Sequence, residues 1–166
     1  YYLDEPKMEN SDLHVLNKLK EEVGKKLLKN PKLADDKKYL ASIIQKIAEK
    51  FNAKFDDDYY EKLKYYLVRD VAGLGIIDTM LRDGNIKEIY CDGADKTLHI
   101  TYNNDKIETK IRYGSNREIE DFINKFAFLS GKKLNNEPFF EANYNNITLR
   151  AIRGLGIVGS KFTISK

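Results

Sequence analysis

The chain has 166 residues, enough for one domain of ordinary size or two small ones, and a folded chain of this length removes roughly 70% of its unfolded surface from water. It carries 29 Lys and Arg against 26 Asp and Glu, a net of only +3. That balance leaves no strong electrostatic footprint for nucleic acid or an anionic membrane. The single cysteine excludes an intramolecular disulfide framework and any multi-cysteine zinc site.

Tyr1-Tyr2-Leu3-Asp4-Glu5-Pro6 is neither the charged start nor the apolar run of a leader. No window approaches the 18 or so apolar residues of a membrane span, so a cytoplasmic location is expected. The sequence begins without Met and stops on a strand-like run, and so reads as an excised piece.

Up to about residue 82, apolar residues recur at helical spacing; beyond it they alternate or cluster in short runs. Asn10-Ser11-Asp12 is an N-cap cluster, followed by a stripe of Leu13, Leu16, Leu19, Val23, Leu27 and Leu28. Asn30-Pro31 ends this helix. A second helix is predicted from about Asp35 to Asn52, with Leu40, Ile43, Ile44, Ile47 and Phe51 as its stripe. A third starts at Asp56-Asp57-Asp58, acids suited to a helix N-terminus, and carries Tyr59, Leu63, Tyr66 and Leu67 toward Asp70. Together they predict a small helical bundle.

Gly73-Leu74-Gly75 interrupts the pattern, which Ile76, Ile77, Met80 and Leu81 resume. Ile86 to Cys91 reads as a strand ended by Asp92-Gly93. Leu98 to Tyr102 and Ile107 to Tyr113 form a hairpin about Asn103-Asn104-Asp105. Ser115 opens a helix closed by Gly131. Phe139 to Tyr144 and Ile147 to Ile152 flank an Asn145-Asn146 turn, and Lys161 to Ser165 is a last strand. The fold class expected is α+β: a helical module, residues 1–68, then a mostly antiparallel sheet domain with flanking helices, residues 69–166.

Gly154-Leu155-Gly156-Ile157-Val158-Gly159-Ser160-Lys161 has the G-x-G-x-x-G spacing of a dinucleotide site. A strand follows it where that site needs a helix, and Ser160 and Lys161 stand in the reverse order for a phosphate loop. It reads as a flexible inter-strand loop. His14 and His99 lack a second ligand at metal spacing, so no metal site is expected and both read as surface histidines. Cys91 ends an apolar strand and reads as a buried thiol. Three adjacent acids at Asp56 to Asp58 need no ion. Tyr and Phe total 19, which raises base stacking. Yet Phe122, Phe126 and Phe128 read as core, and no basic patch surrounds the tyrosines.

Arg150 and Arg153 stand out because Arg is scarce beside Lys. Two arginines near a strand end and a glycine-rich loop suit bidentate phosphate binding, and a salt-bridge role accounts for them equally well.

Val68-Arg69-Asp70-Val71-Ala72-Gly73-Leu74-Gly75-Ile76-Ile77-Asp78, continuing through Leu81-Arg82-Asp83, resembles a conserved stretch of the type II/IV secretion ATPases. Ile86-Lys87-Glu88-Ile89-Tyr90-Cys91-Asp92-Gly93 extends the likeness. Ser130-Gly131-Lys132, Pro138, Arg150 and Phe162-Thr163-Ile164 then follow in that family's order. The opening Tyr1 to Pro6 is similar to the archaeal members. These drive protein secretion, type IV pilus assembly or archaellum assembly and rotation. The resemblance implies the N-terminal region of such an ATPase, with the RecA-like motor absent from this chain and its phosphate loop beyond it. ATP and Mg²⁺ would belong to the full-length parent, with no cofactor and no turnover in this fragment. It further implies a regulatory and docking domain in a homohexamer, packed on its motor and on neighbouring subunits. Its helical module would meet a polytopic inner-membrane platform protein from the cytoplasmic face. Arg150 matches the arginine that reaches ATP phosphates, and Arg153 is its neighbour. A second family arginine falls here at Ser165, so a two-arginine clamp would need Arg153 or Lys166 in its place. The rival readings are a stand-alone protein-interaction module without a motor and a nucleic-acid-binding α+β domain.

Overall fold

A computed structural model describes residues 1, 4–30, 32–33, 36–154 and 158–166. The chain divides into two compact units. One is Asp4–Thr79; the other is Met80–Lys166 together with Tyr1, whose hydroxyl donates to Asp83 Oδ2 at 3.1 Å. The fold is α+β.

The helical unit contains α1 (Asn10–Lys29), α2 (Lys37–Lys50) and α3 (Asp57–Leu67). Val15, Leu16, Leu19, Val23, Leu27, Leu40, Ile44, Ile47, Leu63 and Leu67 meet in one core. Each side chain buried there stabilises the unit by about 1.5–3 kcal/mol. Asp36 and Asp56 cap α2 and α3, accepting from Tyr39 N and Tyr59 N at 2.9 Å, so the acidic run at Asp56 is a helix start. The α1 boundary differs from expectation. Glu9 is the cap residue, and Asp12, one turn in, accepts from Glu9 N at 3.0 Å. Asp12 also pairs with Lys62 of α3 at 2.6 Å. That tie rotates the stripe: Val15 is buried while Leu13 is exposed. Phe51, beyond the end of α2, is exposed too, and Asp35 lies outside the described residues.

Helix α3 passes into a π-helical turn, Val68–Ala72, where Gly73 N donates to Val68 O at 2.8 Å. A Cβ on Gly73 would lie 3.0 Å from Arg69 O and 3.1 Å from Asp78 Cγ. Gly75, at φ 63°, takes the left-handed conformation and donates to Arg69 O at 2.8 Å. The two glycines of the family-like stretch therefore end one helix and set up the next, α4 (Ile76–Leu81).

The π turn aims Arg69 and Asp70 inward. Arg69 Nη1 donates to both oxygens of Glu5 at 2.8 Å, and its Nε donates to Asp70 Oδ1 at 2.6 Å. Lys20 of α1 reaches Asp70 Oδ2 at 2.6 Å. The guanidinium also lies 4.6 Å from the Tyr66 ring centroid, and Tyr66 Oη donates to Pro6 O at 2.5 Å. Two separate family-like stretches, Glu5-Pro6 and Arg69-Asp70, are thus one ion cluster that fastens the N-terminal segment to the helices.

The second unit is one six-stranded sheet with every pairing antiparallel. Its strands are β1 (Ile86–Cys91), β2 (Thr97–Tyr102), β3 (Asp105–Arg112), β4 (Phe139–Tyr144), β5 (Ile147–Ile152) and β6 (Lys161–Ser165). They lie in the order β3-β2-β1-β6-β5-β4. Two hairpins turn on Asn103-Asn104 and Asn145-Asn146, all four at positive φ, as primed turns require. Helix α5 (Asn116–Ser130) is capped by Ser115, which accepts from Glu118 N at 3.2 Å, and by left-handed Gly131. It covers one sheet face through Phe122, stacked on Phe162 at 4.7 Å, and Phe126, edge-on to Tyr144 at 6.1 Å. Phe128, expected in that core, is exposed on the far side of α5.

Burial alone would raise the carboxyl pKa values of Glu5 and Asp70. Arg69, with Tyr65 and Thr79 on Glu5 and Lys20 on Asp70, more than reverses this, leaving them below their ordinary 4.5 and 3.8. Depressed folded-state values add stability that is fully present above the unfolded values and is lost as pH falls through the folded ones. We expect the helical unit to lose stability below about pH 4.5, with a flatter profile in Glu5→Gln. Thermal unfolding followed by circular dichroism between pH 7 and pH 3 checks this; identical slopes in both proteins would remove Glu5 from the cluster's energetics.

Candidate functional site

Alternation along each strand sends every second side chain to the sheet face opposite α5. The register aligns these side chains in rows. One row crosses all six strands as Glu141, Arg150, Thr163, Tyr90, His99 and Glu108. Its neighbour on the covered face is apolar: Ala142, Leu149, Ile164, Ile89, Ile100 and Ile107. A third row on the open face sets Phe139 beside Ile152 and Ile152 beside Lys161.

Where these open-face rows meet, a groove of about 560 Å³ lies over β4, β5 and β6. Phe139 and Ile152, 71% and 46% exposed, are apolar residues of its lining. Arg150, Lys161, Thr163, Asp92 and Glu141 also line it. Arg150 Nε donates to Glu141 Oε2 at 2.8 Å, both side chains more than half exposed. An ion pair this open contributes about 0–1 kcal/mol, so little holds Arg150 in place. Lys161 makes no ion pair among the described residues.

Arg153 is placed differently. Its Nε and Nη2 both reach Glu120 Oε2 of α5 at 3.0 Å, and its Nη1 donates to Asn135 O at 3.1 Å. Glu120 also accepts from the Ser160 hydroxyl, which in turn accepts from Gly154 N at 2.9 Å. Ser160 N donates to Asn116 Oδ1 at 2.5 Å. The structure therefore does not bring the two arginines together: Arg150 faces the groove, while Arg153 ties the loop ends to α5. Of the glycine-rich loop, Leu155, Gly156 and Ile157 lie outside the described residues, as do Tyr2 and Leu3 at the start of the chain. The segment after the loop is strand β6, where a pyrophosphate site needs a helix. Lys166 Nζ donates to Asp83 O at 2.5 Å, and Ser165 pairs with Thr148 and Glu88.

Cys91 is buried, and that burial pushes its thiol pKa up, against a nucleophilic role. His99 lies half-buried on the open face with Nδ1 3.8 Å from Asp92 Oδ2, and His14 is exposed. Among the described residues no group of three His, Cys, Asp or Glu side chains is placed to hold a metal ion, and no helix is long and apolar enough to cross a membrane.

The helical unit has a groove of its own, about 970 Å³, lined by Glu9, Asp12, His14, Phe51, Asp56 and Lys62 among others.

No family model matches the chain. The chain is similar to "Uncharacterized protein MJ1288" of Methanocaldococcus jannaschii, 28% identical over 139 residues, covering 81% of this chain and 55% of that protein. The chain thus spans about half the length of the curated relative it matches. Among solved structures it is similar to the VirB11 ATPase from the Brucella suis type IV secretion system, crystallised in complex with sulphate. That likeness has a TM-score of 0.44 and 12% identity, over 52% of this chain and 28% of that one.

Residue chemistry drew attention to Arg150 and Arg153, and to Lys161 only as a misplaced phosphate-loop lysine, but not to Glu141, Phe139 or Ile152. Alternation alone marks their strand positions; only the pairing register gathers them at one groove.

The two arginines should separate in stability measurements. Arg153→Ala leaves Glu120 without its main partner and should cost about 1–3 kcal/mol. Arg150→Ala should change stability by less than about 1 kcal/mol. Urea unfolding monitored by fluorescence and circular dichroism measures both. Equal losses would mean that Arg150 is as firmly built into the fold as Arg153.

Proposed function

We propose that this chain is the N-terminal regulatory and docking part of a secretion-type ATPase, with Arg150 presented to the phosphates of ATP bound on a motor domain. The observation that carries the reading is the position of Arg150. It stands on the open face of the sheet and lines a groove, in an ion pair weak enough to exchange. The order of the family-like stretches along the chain supports the same reading, and Arg150 falls at the matching position.

The chemistry is a partner exchange. A phosphate oxygen can take the place of the Glu141 carboxylate on the guanidinium, since both accept paired N–H donors in one plane. Contact with a motor surface would dry the groove and strengthen the new pair. Closure of this domain would thereby depend on whether a γ-phosphate is present. The reading gives the chain no nucleophile and no general base, and it assigns no Mg²⁺ contact to these residues. The open face also carries Glu88, Glu108 and Glu141, which disfavours a nucleic-acid backbone there.

The helical unit would serve as the docking module for a membrane platform protein at the cytoplasmic face. Its acidic groove with exposed Phe51 suits a basic, amphipathic loop from such a partner. Assembly as a homohexamer, in a secretion, pilus or archaellum system, would follow from the family resemblance.

The test is Arg150→Ala in the full-length protein. ATP turnover should fall roughly 100-fold or more with assembly intact by size-exclusion chromatography. Turnover equal to wild type would refute the role of Arg150.

A further inference from the structure

The groove over β4, β5 and β6 holds a second cation, Lys161, which the sequence offers only as a misplaced phosphate-loop lysine. Lys161 lies directly across from Ile152, and Arg150 is two residues before Ile152 on the same strand. Neighbouring strands run about 4.7–4.9 Å apart, and residues i and i+2 about 6.6–6.8 Å apart. Arg150 and Lys161 therefore sit on a diagonal of the open face, close enough for one polyphosphate to span. Thr163, across from Arg150, adds a hydroxyl between them. The family's second arginine position is Ser165, whose strand partners Thr148 and Glu88 lie one row away. Arg153 is committed to Glu120 and Asn135, and Lys166 to Asp83 O. Lys161 alone of these cations lines the groove without an ion pair among the described residues.

Glu141 completes the arrangement. It is the cross-strand neighbour of Arg150, pairs with it at 2.8 Å, and lines the same groove. A carboxylate placed there satisfies the guanidinium in the absence of a ligand and repels an arriving anion. Asp92, which also lines the groove, adds to that repulsion.

We propose that this groove is a two-cation phosphate subsite, in which Lys161 supplies the second cation and Glu141 holds Arg150 as a displaceable substitute for phosphate. The inference rests on the reading of Arg150 as a phosphate ligand. The ligand class is the polyphosphate of a nucleoside triphosphate, captured first by Lys161 and then by Arg150 as it leaves Glu141. Recognition lies in the phosphates, so the base adds little on this chain.

Titration of the 166-residue chain with inorganic tripolyphosphate, ATP and adenosine at low ionic strength, followed by NMR of the Arg and Lys side chains, tests this. Tripolyphosphate and ATP should bind with similar affinity and adenosine should not bind. Lys161→Gln should weaken binding roughly five- to tenfold. Glu141→Gln, which frees Arg150 and removes a like charge, should tighten it by about threefold or more. Every substituted side chain is exposed, and matched thermal unfolding confirms that the variants fold. If Arg150→Ala weakens binding while Lys161→Gln and Glu141→Gln leave it unchanged, the two-cation subsite is wrong and the reading of Arg150 stands. If Arg150→Ala also binds as wild type does, the reading falls with the subsite. Adenosine binding as well as ATP, or no saturable tripolyphosphate binding, overturns the inference outright.

Discussion

Phe122 of α5 stacks on Phe162 of β6, and that contact decides which face of the sheet is closed. Strand side chains have a period of two, so once Phe162, Ile164, Leu149 and Ala151 face the helix, Lys161, Thr163, Arg150 and Ile152 must face away. A one-residue slip in β5 or β6 would bury an arginine and a lysine beneath α5 at a cost of several kcal/mol each. The apolar rows thus hold the charged rows in place. A groove built on paired strands is also more precise than one built on loops, which suits the phosphate contact proposed for Arg150.

Much of this architecture is legible in the sequence, for identifiable reasons. β1, β4, β5 and β6 are short, clearly alternating and bounded by Asn, Gly or Pro, and their limits agree with those expected. The Asn-Asn turns mark both primed hairpins. Where long-range contacts decide, local pattern fails. Leu13 fits the α1 stripe as well as Val15 does, but the Asp12–Lys62 pair sets the rotation and leaves Leu13 in solvent. Phe128 is apolar, yet it points away from the sheet that Phe126 meets. Arg150 and Arg153 look equivalent in the sequence. Glu120, 33 residues before Arg153, and Glu141, on the neighbouring strand of Arg150, separate them. No local signal reports which carboxylate an arginine will find.

The family-like stretches carry a related lesson. Arg69-Asp70 and the glycines after it lie in the most specific part of the resemblance, where catalytic work is the natural first thought. Their geometry is structural: Arg69 and Asp70 close a cluster with Glu5 and Lys20, and Gly73 and Gly75 allow the π turn to end in α4. A part-buried cluster of this kind is costly to break by removing one partner. Arg150, in a far less conspicuous stretch, is held only by an exposed ion pair to Glu141.

The central claim is that Arg150 exchanges a carboxylate for a phosphate. The most direct measurement is an experimental structure of the full-length protein with a non-hydrolysable ATP analogue. The account predicts the Arg150 guanidinium about 2.7–2.9 Å from a phosphate oxygen, with Glu141 released and the groove covered by a motor surface. Phosphates bound elsewhere, with Arg150 still paired to Glu141, would contradict it.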